Sequence, residues 1–201
     1  MSGTSSRVER RKQATRNRIF QVAMELFLSK GYEQTTVADI SEAADVGKGT
    51  FFTYFPTKES LFGHLGQMMV DRMAQTIEDG LHSKPASVIM RDVVASTAAW
   101  LEENQTLVRP VIAVGRRGSL LSDSASRRRM GELLTNLIKV GQEQGEFDPA
   151  ILPQDAAATM MGGYFTAIMG WHLGDQRTLG QRLNAGLSIV LRGLRPPQPT
   201  P

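Results

Sequence analysis

An all-α fold of about nine helices is what this 201-residue sequence predicts, and three observations lead there. Apolar residues recur at helical spacing in segment after segment, as in Ile19, Val22, Ala23, Leu26 and Phe27, where steps of three or four keep them on one side of a helix. No comparable run alternates apolar with polar, so no sheet is expected. Near the amino end, two segments too short to persist as isolated helices are joined by three residues, the pattern of a helix-turn-helix.

Composition narrows the chemistry. Hydrophobic residues at 41% and charged residues at 21% fit a globular chain. The absence of cysteine excludes disulfide frameworks, thiolate nucleophiles and sulfur-bound zinc. Charge is uneven: the first 18 residues carry six basic side chains and one acidic, a net +5 in a chain whose total is +3. Arg7, Arg10, Arg11, Lys12, Arg16 and Arg18 form a basic arm that attracts a polyanion. The opening MSGTSSRVERRKQ carries charge where a secretory leader needs an apolar run, so a cytoplasmic location is expected. Ala156 to Gly174 has no formal charge, yet it is rich in Ala, Gly, Thr and Met, which makes it a bundle helix and not a membrane span.

Taken in order, the first helix covers about 15 residues and ends at Gly31, a residue suited to a left-handed cap. Thr36 is the N-cap of the next helix, with Asp39 three residues on to return the hydrogen bond. That helix, Val37 to Ala44, sets Val37, Ile40 and Ala44 on one face. Asp45, Val46 and Gly47 make the turn, and a second short helix runs from Lys48 to Phe55, where Pro56 ends it. Val46, Phe51 and Phe55 are placed beneath this helix, while Lys48, Thr50, Thr53 and Tyr54 point outward. A helix held out in this way fits the major groove of DNA.

Six more helices are expected: Lys58 to Gly80, Val88 to Glu103, Thr106 to Arg117, Ser124 to Gln144, Gln154 to Leu173 and Leu179 to Leu194. The tail, residues 196–201, is expected to be disordered. In the eighth helix Ala156, Met160, Gly163, Ala167, Gly170 and Gly174 make a smooth side next to bulky Tyr164, Ile168 and Trp171. The ninth carries a stripe of Leu179, Leu183, Leu187, Val190 and Leu194. Burying both suggests a homodimer through the two C-terminal helices, in a four-helix bundle.

The run GYEQTTVADISEAADVGKGTFFTYFPTKESLF, Gly31 to Phe62, resembles the tetracycline-repressor (TetR) family of bacterial transcription regulators. The likeness lies in the Gly-aromatic step, the paired Thr, the mid-helix Ile, the turn, Lys-Gly-Thr, the aromatic pair and Lys-Glu-x-Leu, and it spans Arg16 to Leu65. It implies double-stranded DNA as partner, with Thr36, Lys48, Thr50, Tyr54 and Lys58 beside the backbone or bases. Three departures stand out. Asp45 replaces the usual turn Gly, Gly47 replaces a capping Ser, and Phe52 replaces a frequent phosphate-binding Tyr, which makes Thr53 the better candidate contact.

The same resemblance implies a repressor released by a small, largely apolar effector; two-fold symmetry adds a palindromic operator, and with no nucleophile motif, phosphate-binding glycine loop or inward carboxylate pair, no cofactor, metal or catalysis is expected. Candidate effector contacts are Met68, Trp100, Met161, Tyr164, Phe165, Met169 and His172. The domains expected are a basic, partly disordered arm over 1–15, a DNA-binding domain over 16–57, an effector-binding and dimerisation domain over 58–195, and the tail. Two rivals are weighed. A helical metal-dependent enzyme would use Asp79 with His82 or His172 with Asp175, each at i, i+3 spacing. A nonspecific architectural DNA binder would use the arm and the cluster Arg116, Arg117, Arg127, Arg128 and Arg129.

Overall fold

The structure is a computed structural model that describes residues 3–115, 124–174 and 176–197. Those residues form nine helices and no strand: α1 (Gly3–Lys30), α2 (Val37–Ala43), α3 (Lys48–Tyr54), α4 (Ser60–Gly80), α5 (Ala86–Glu103), α6 (Gln105–Gly115), α7 (Ser124–Glu143), α8 (Pro153–His172) and α9 (Leu179–Gly193). Arg116 and Arg117 of the basic cluster, Asp175 of the second acid–histidine pair and the last four residues of the tail lie outside the described residues. No helix among the described residues is long and apolar enough to cross a membrane.

Helix α1 has 28 residues, so the arm expected to be partly disordered is helical from Gly3 onward. Its first half contains no proline and, after Gly3, no glycine. Local pairs also support it: Lys12 lies 3.6 Å from Glu9, and Gln13 donates to Asn17 at 2.9 Å.

The chain divides into two compact units. The first holds α1, α2, α3, the start of α4 and α6. Ile19, Phe20, Ala23, Met24 and Phe27 of α1 are buried there with Ile40, Phe51, Phe55, Leu61, Phe62 and Leu65. Phe20 and Met24 therefore join the inward face that the spacing of Ile19, Ala23 and Phe27 predicts. Helix α6 packs on α1 through the buried Val108, Val111 and Ile112. Gly31 ends α1 at a φ of +87°, a left-handed conformation that a side chain would strain.

The second unit holds the rest of α4 with α5, α7, α8 and α9. Its core joins Val70, Met73, Ile89, Met90, Val93, Leu134, Leu137, Ile138, Leu187 and Leu191. In α7, a Cβ on Gly141 would collide with the Phe147 ring, so only glycine permits that approach. Two loop side chains cap α5, since Gln144 accepts from the Ala86 N–H at 3.0 Å and Glu146 from the Ser87 N–H at 3.0 Å.

One expectation is corrected here. The α9 stripe, proposed as dimer surface, is buried within its own subunit: Leu179, Leu183, Leu187 and Leu194 are all 5% exposed or less. Ala156 and Ala167 of α8 are buried as well, and Gly170 makes room for the Arg182 guanidinium. Packing of α9 on both α5 and α8 supplies the apolar partners that a second subunit would otherwise have to provide.

Candidate nucleic-acid interface and effector cavity

Helix α2 begins with a reciprocal cap. Thr36 Oγ1 accepts from the Asp39 N–H at 3.1 Å, and the Asp39 carboxylate accepts from the Thr36 N–H at 2.8 Å and its hydroxyl at 2.9 Å. These bonds, chiefly the backbone one, hold the Asp39 carboxyl below its ordinary range, with Lys30 assisting at 3.5 Å. The turn that follows puts Asp45 at a φ of 51°, a region Asp enters more readily than most residues. Val46 then donates to the Ser41 carbonyl at 2.9 Å. As the glycine at 47 implies, α3 starts with no side-chain cap.

Helix α3 rests on aromatic rings. Phe51 and Phe55 are 0% and 1% exposed, with ring centroids 5.9 Å apart. Below them the buried His64 lies edge-on to Phe55 at 5.5 Å and to Phe20 at 5.1 Å, and the Arg16 guanidinium stands 5.5 Å over the Phe55 ring. Sequence reasoning missed the packing of His64, because nothing local ties residue 64 to residues 20 and 55. On the outer side Lys48, Thr50 and Thr53 are exposed and Tyr54 is half-buried. The Thr53 hydroxyl donates to the Gly49 carbonyl at 2.9 Å, which leaves its oxygen as an acceptor. Phe52 is 51% exposed, an apolar group on the same helix.

Lys58 is placed differently from the simple phosphate grip expected of it. Its ammonium donates to the carbonyls of Tyr32 at 2.7 Å and Thr35 at 3.0 Å and sits 3.9 Å from the centre of the Tyr32 ring. The Tyr32 hydroxyl in turn donates to Glu59 at 2.6 Å. Burial and that carboxylate push the Tyr32 phenol above its usual range, and the same bond lowers Glu59. Lys58, Glu59 and Tyr32 thus tie the α1–α2 connection to the segment entering α4. The Tyr32 carbonyl also accepts from the Thr35 N–H at 3.3 Å, so Lys58 reinforces a turn within that connection.

In the second unit an apolar cavity of about 70 Å³ is walled by Met73, Met90, Met130, Met160 and Met161 with Leu134, Leu187 and Val190. Thr97 and Tyr164 also line it, and no charged side chain does. Of the expected effector contacts, Met161 and Tyr164 line this space, whereas Met68, Trp100, Phe165, Met169 and His172 do not. The reason is geometric: the walls come from α4, α5, α7, α8 and α9 together, and aromatic content along α8 does not reveal which side faces them. Burial holds the Tyr164 phenol above its ordinary range, so it stays neutral.

Of the acid–histidine pairs, Asp79 accepts from Gln75 at 2.8 Å, a pairing along its own helix. In the basic cluster, Arg129 is paired with Asp71 at 2.5 Å.

The description "Bacterial regulatory proteins, tetR family" matches residues 19–65, the segment that carries this interface. Over the whole chain, the Thermus thermophilus FadR structure, a TetR-family repressor in complex with lauroyl-CoA, superposes with a TM-score of 0.71 at 26% identity, covering 92% of this chain and 98% of that one. MftR of Mycobacterium tuberculosis, named as a mycofactocin biosynthesis transcriptional regulator, is 27% identical over 94% of this chain and 96% of its own. Residues 19–65 thus match the tetR family, and the chain is similar to its regulators over most of its length. The repressor KstR2 of Rhodococcus jostii is 24% identical over 92% of this chain and 94% of its own. By these likenesses the chain is a DNA-binding transcriptional regulator and not an enzyme.

Proposed function

We propose that the chain is a repressor that binds a palindromic operator as a homodimer in the cytoplasm and leaves it when an apolar effector fills the cavity. The observation that carries this reading is the exposure of α3 above the buried Phe51 and Phe55. Lys48, Thr50, Thr53 and Tyr54 take phosphates or base edges, and Phe52 supplies apolar contact of the kind a thymine methyl accepts. Thr36 acts through the α2 cap. Lys58 acts first by fixing the α1–α2 connection, and its remaining N–H is the part offered to a phosphate.

The outer surface of α8 and α9 suits the second subunit. Ala158, Thr159, Gly162 and Thr166 are exposed and small, and Ile189 beside Ala185 on α9 is 71% exposed. Such a flat surface lets helices approach closely around one apolar anchor. A two-fold pair would set the recognition helices into successive major grooves about 34 to 36 Å apart.

For the effector, uncharged walls favour a neutral hydrocarbon body, and flexible methionines allow the narrow space to widen around it. The lauroyl-CoA in the FadR complex has such an apolar part. A preference of about 1 to 3 kcal/mol for the form that does not bind DNA is enough to change operator affinity 5- to 150-fold.

Selection of bound fragments from random duplex DNA tests the reading. The wild-type chain should enrich a palindrome at least roughly 10³-fold over bulk DNA. The Lys48→Ala, Tyr54→Ala double variant should lose it. Equal binding to palindrome and bulk DNA would favour the architectural alternative, and an unchanged motif from the variant would move the reading surface elsewhere.

A further inference from the structure

The first turns of α1 extend as a rod whose side chains from Arg7 to Ala14 are all exposed. At about 100° per residue, Arg7, Arg10, Arg11 and Arg18 fall on one side, while Glu9, Lys12 and Arg16 fall on the other. The contacts agree with this division. Lys12 is paired with Glu9, Arg16 is turned to the Phe55 ring, and Arg18 lies 3.9 Å from Asp45 in the turn that leads into α3. One arginine side therefore starts beside the entrance to the recognition helix and runs away from it for about 16 Å, at about 1.5 Å per residue. Duplex DNA of that length carries about ten phosphate charges.

We propose that Arg7, Arg10 and Arg11 form a second phosphate-binding surface, which takes the DNA backbone flanking the operator half-site. This rests on the operator reading above and deepens it: α3 selects the sequence, and the arginine side lengthens the footprint without reading bases. Charge complementarity and continuity with the α2–α3 turn argue for duplex DNA as the occupant. The stretch of α1 from Arg7 to Ala14 buries no side chain, so packing gives it no role and its positive charge is the feature suited to binding.

The test uses the full-length chain and its Arg7→Ala, Arg10→Ala, Arg11→Ala variant, with two duplexes. One duplex ends at the selected palindrome, and the other adds ten base pairs on each side. Fluorescence anisotropy over a salt series gives affinity and salt slope for each. Wild type should bind the longer duplex more tightly and with a steeper slope, and the variant should lose both gains while matching wild type on the short duplex. Each phosphate left unneutralised lowers the slope by about 0.9, so three per subunit, six per dimer, lower it by about 5.4. Between 50 and 200 mM salt that makes the drop in affinity roughly 2,000-fold smaller for the variant. Alanine favours helix, so far-UV circular dichroism should be unchanged.

Equal slopes for variant and wild type on both duplexes would overturn the proposal. So would a variant deficient only in binding phosphatidylserine vesicles, which would reassign the arginines to a lipid surface. The two readings fail separately: a wild-type chain that selects no duplex overturns the operator reading and this one with it. A chain that selects its palindrome with a slope indifferent to the three arginines overturns this one alone.

Discussion

In the first unit the helix offered to DNA stands on Phe51 and Phe55, fully buried rings locked against His64 and Phe20, whereas the second unit surrounds empty space with five methionines. Rigid rings fix the position of α3 because a displaced ring has no other rotamer that fills the same volume. Methionines do the opposite. Their unbranched chains repack around whatever occupies the cavity. A reading surface needs one geometry, a receptor cavity needs several, and the two units differ in the residue types that meet those needs.

The largest test of this contrast compares two core truncations. Phe51→Ala should destabilise the first unit by about 3 to 5 kcal/mol, while Met90→Ala, equally buried but at the cavity wall, should lie at the low end of the range, about 2 kcal/mol. Denaturant unfolding of each variant checks this, and equal losses would break the comparison. A smaller effect is expected at the α2 cap. Thr36→Ala removes the acceptor for the Asp39 N–H and should cost about 1 kcal/mol. Amide exchange should quicken in α2 and stay unchanged in α5, α7 and α9.

The smallest effect is a pH dependence. Because the Asp39 carboxyl is held below its ordinary value, the stability it adds is fully present above the carboxylate pKa of the unfolded chain, roughly 4. It is lost as pH falls through the lower, folded value. Asp39→Asn should flatten this acid limb in the first unit. An NMR titration placing Asp39 at or above the ordinary carboxylate value would contradict the cap geometry.

Much of the interface was legible from residues close together in the chain. Thr36 with Asp39, the Asp45 turn, the uncapped start at Gly47 and the inward Phe51 and Phe55 follow from capping chemistry, φ preferences and helical spacing, all local effects. Lys58 shows where local reading stopped. Its type and place suggest a cation for phosphate, but the carbonyls that engage it belong to residues 23 and 26 positions away. The cavity was harder still, since a wall built from five helices has no signature in any one of them. The leucines of α9 announced an apolar surface without naming its partner.

By itself the sequence determined the helical periods, the cap and turn residues and the charge at the amino end, because each depends on contacts within about one helical turn or on covalent preference. Tertiary structure decided which apolar stripes meet inside one subunit, that α6 joins α1, that Lys58 turns to backbone carbonyls, and which side chains enclose the cavity. Those choices depend on complementary volumes brought together across long stretches of chain, and hydrophobic burial has no direction of its own to write them in advance.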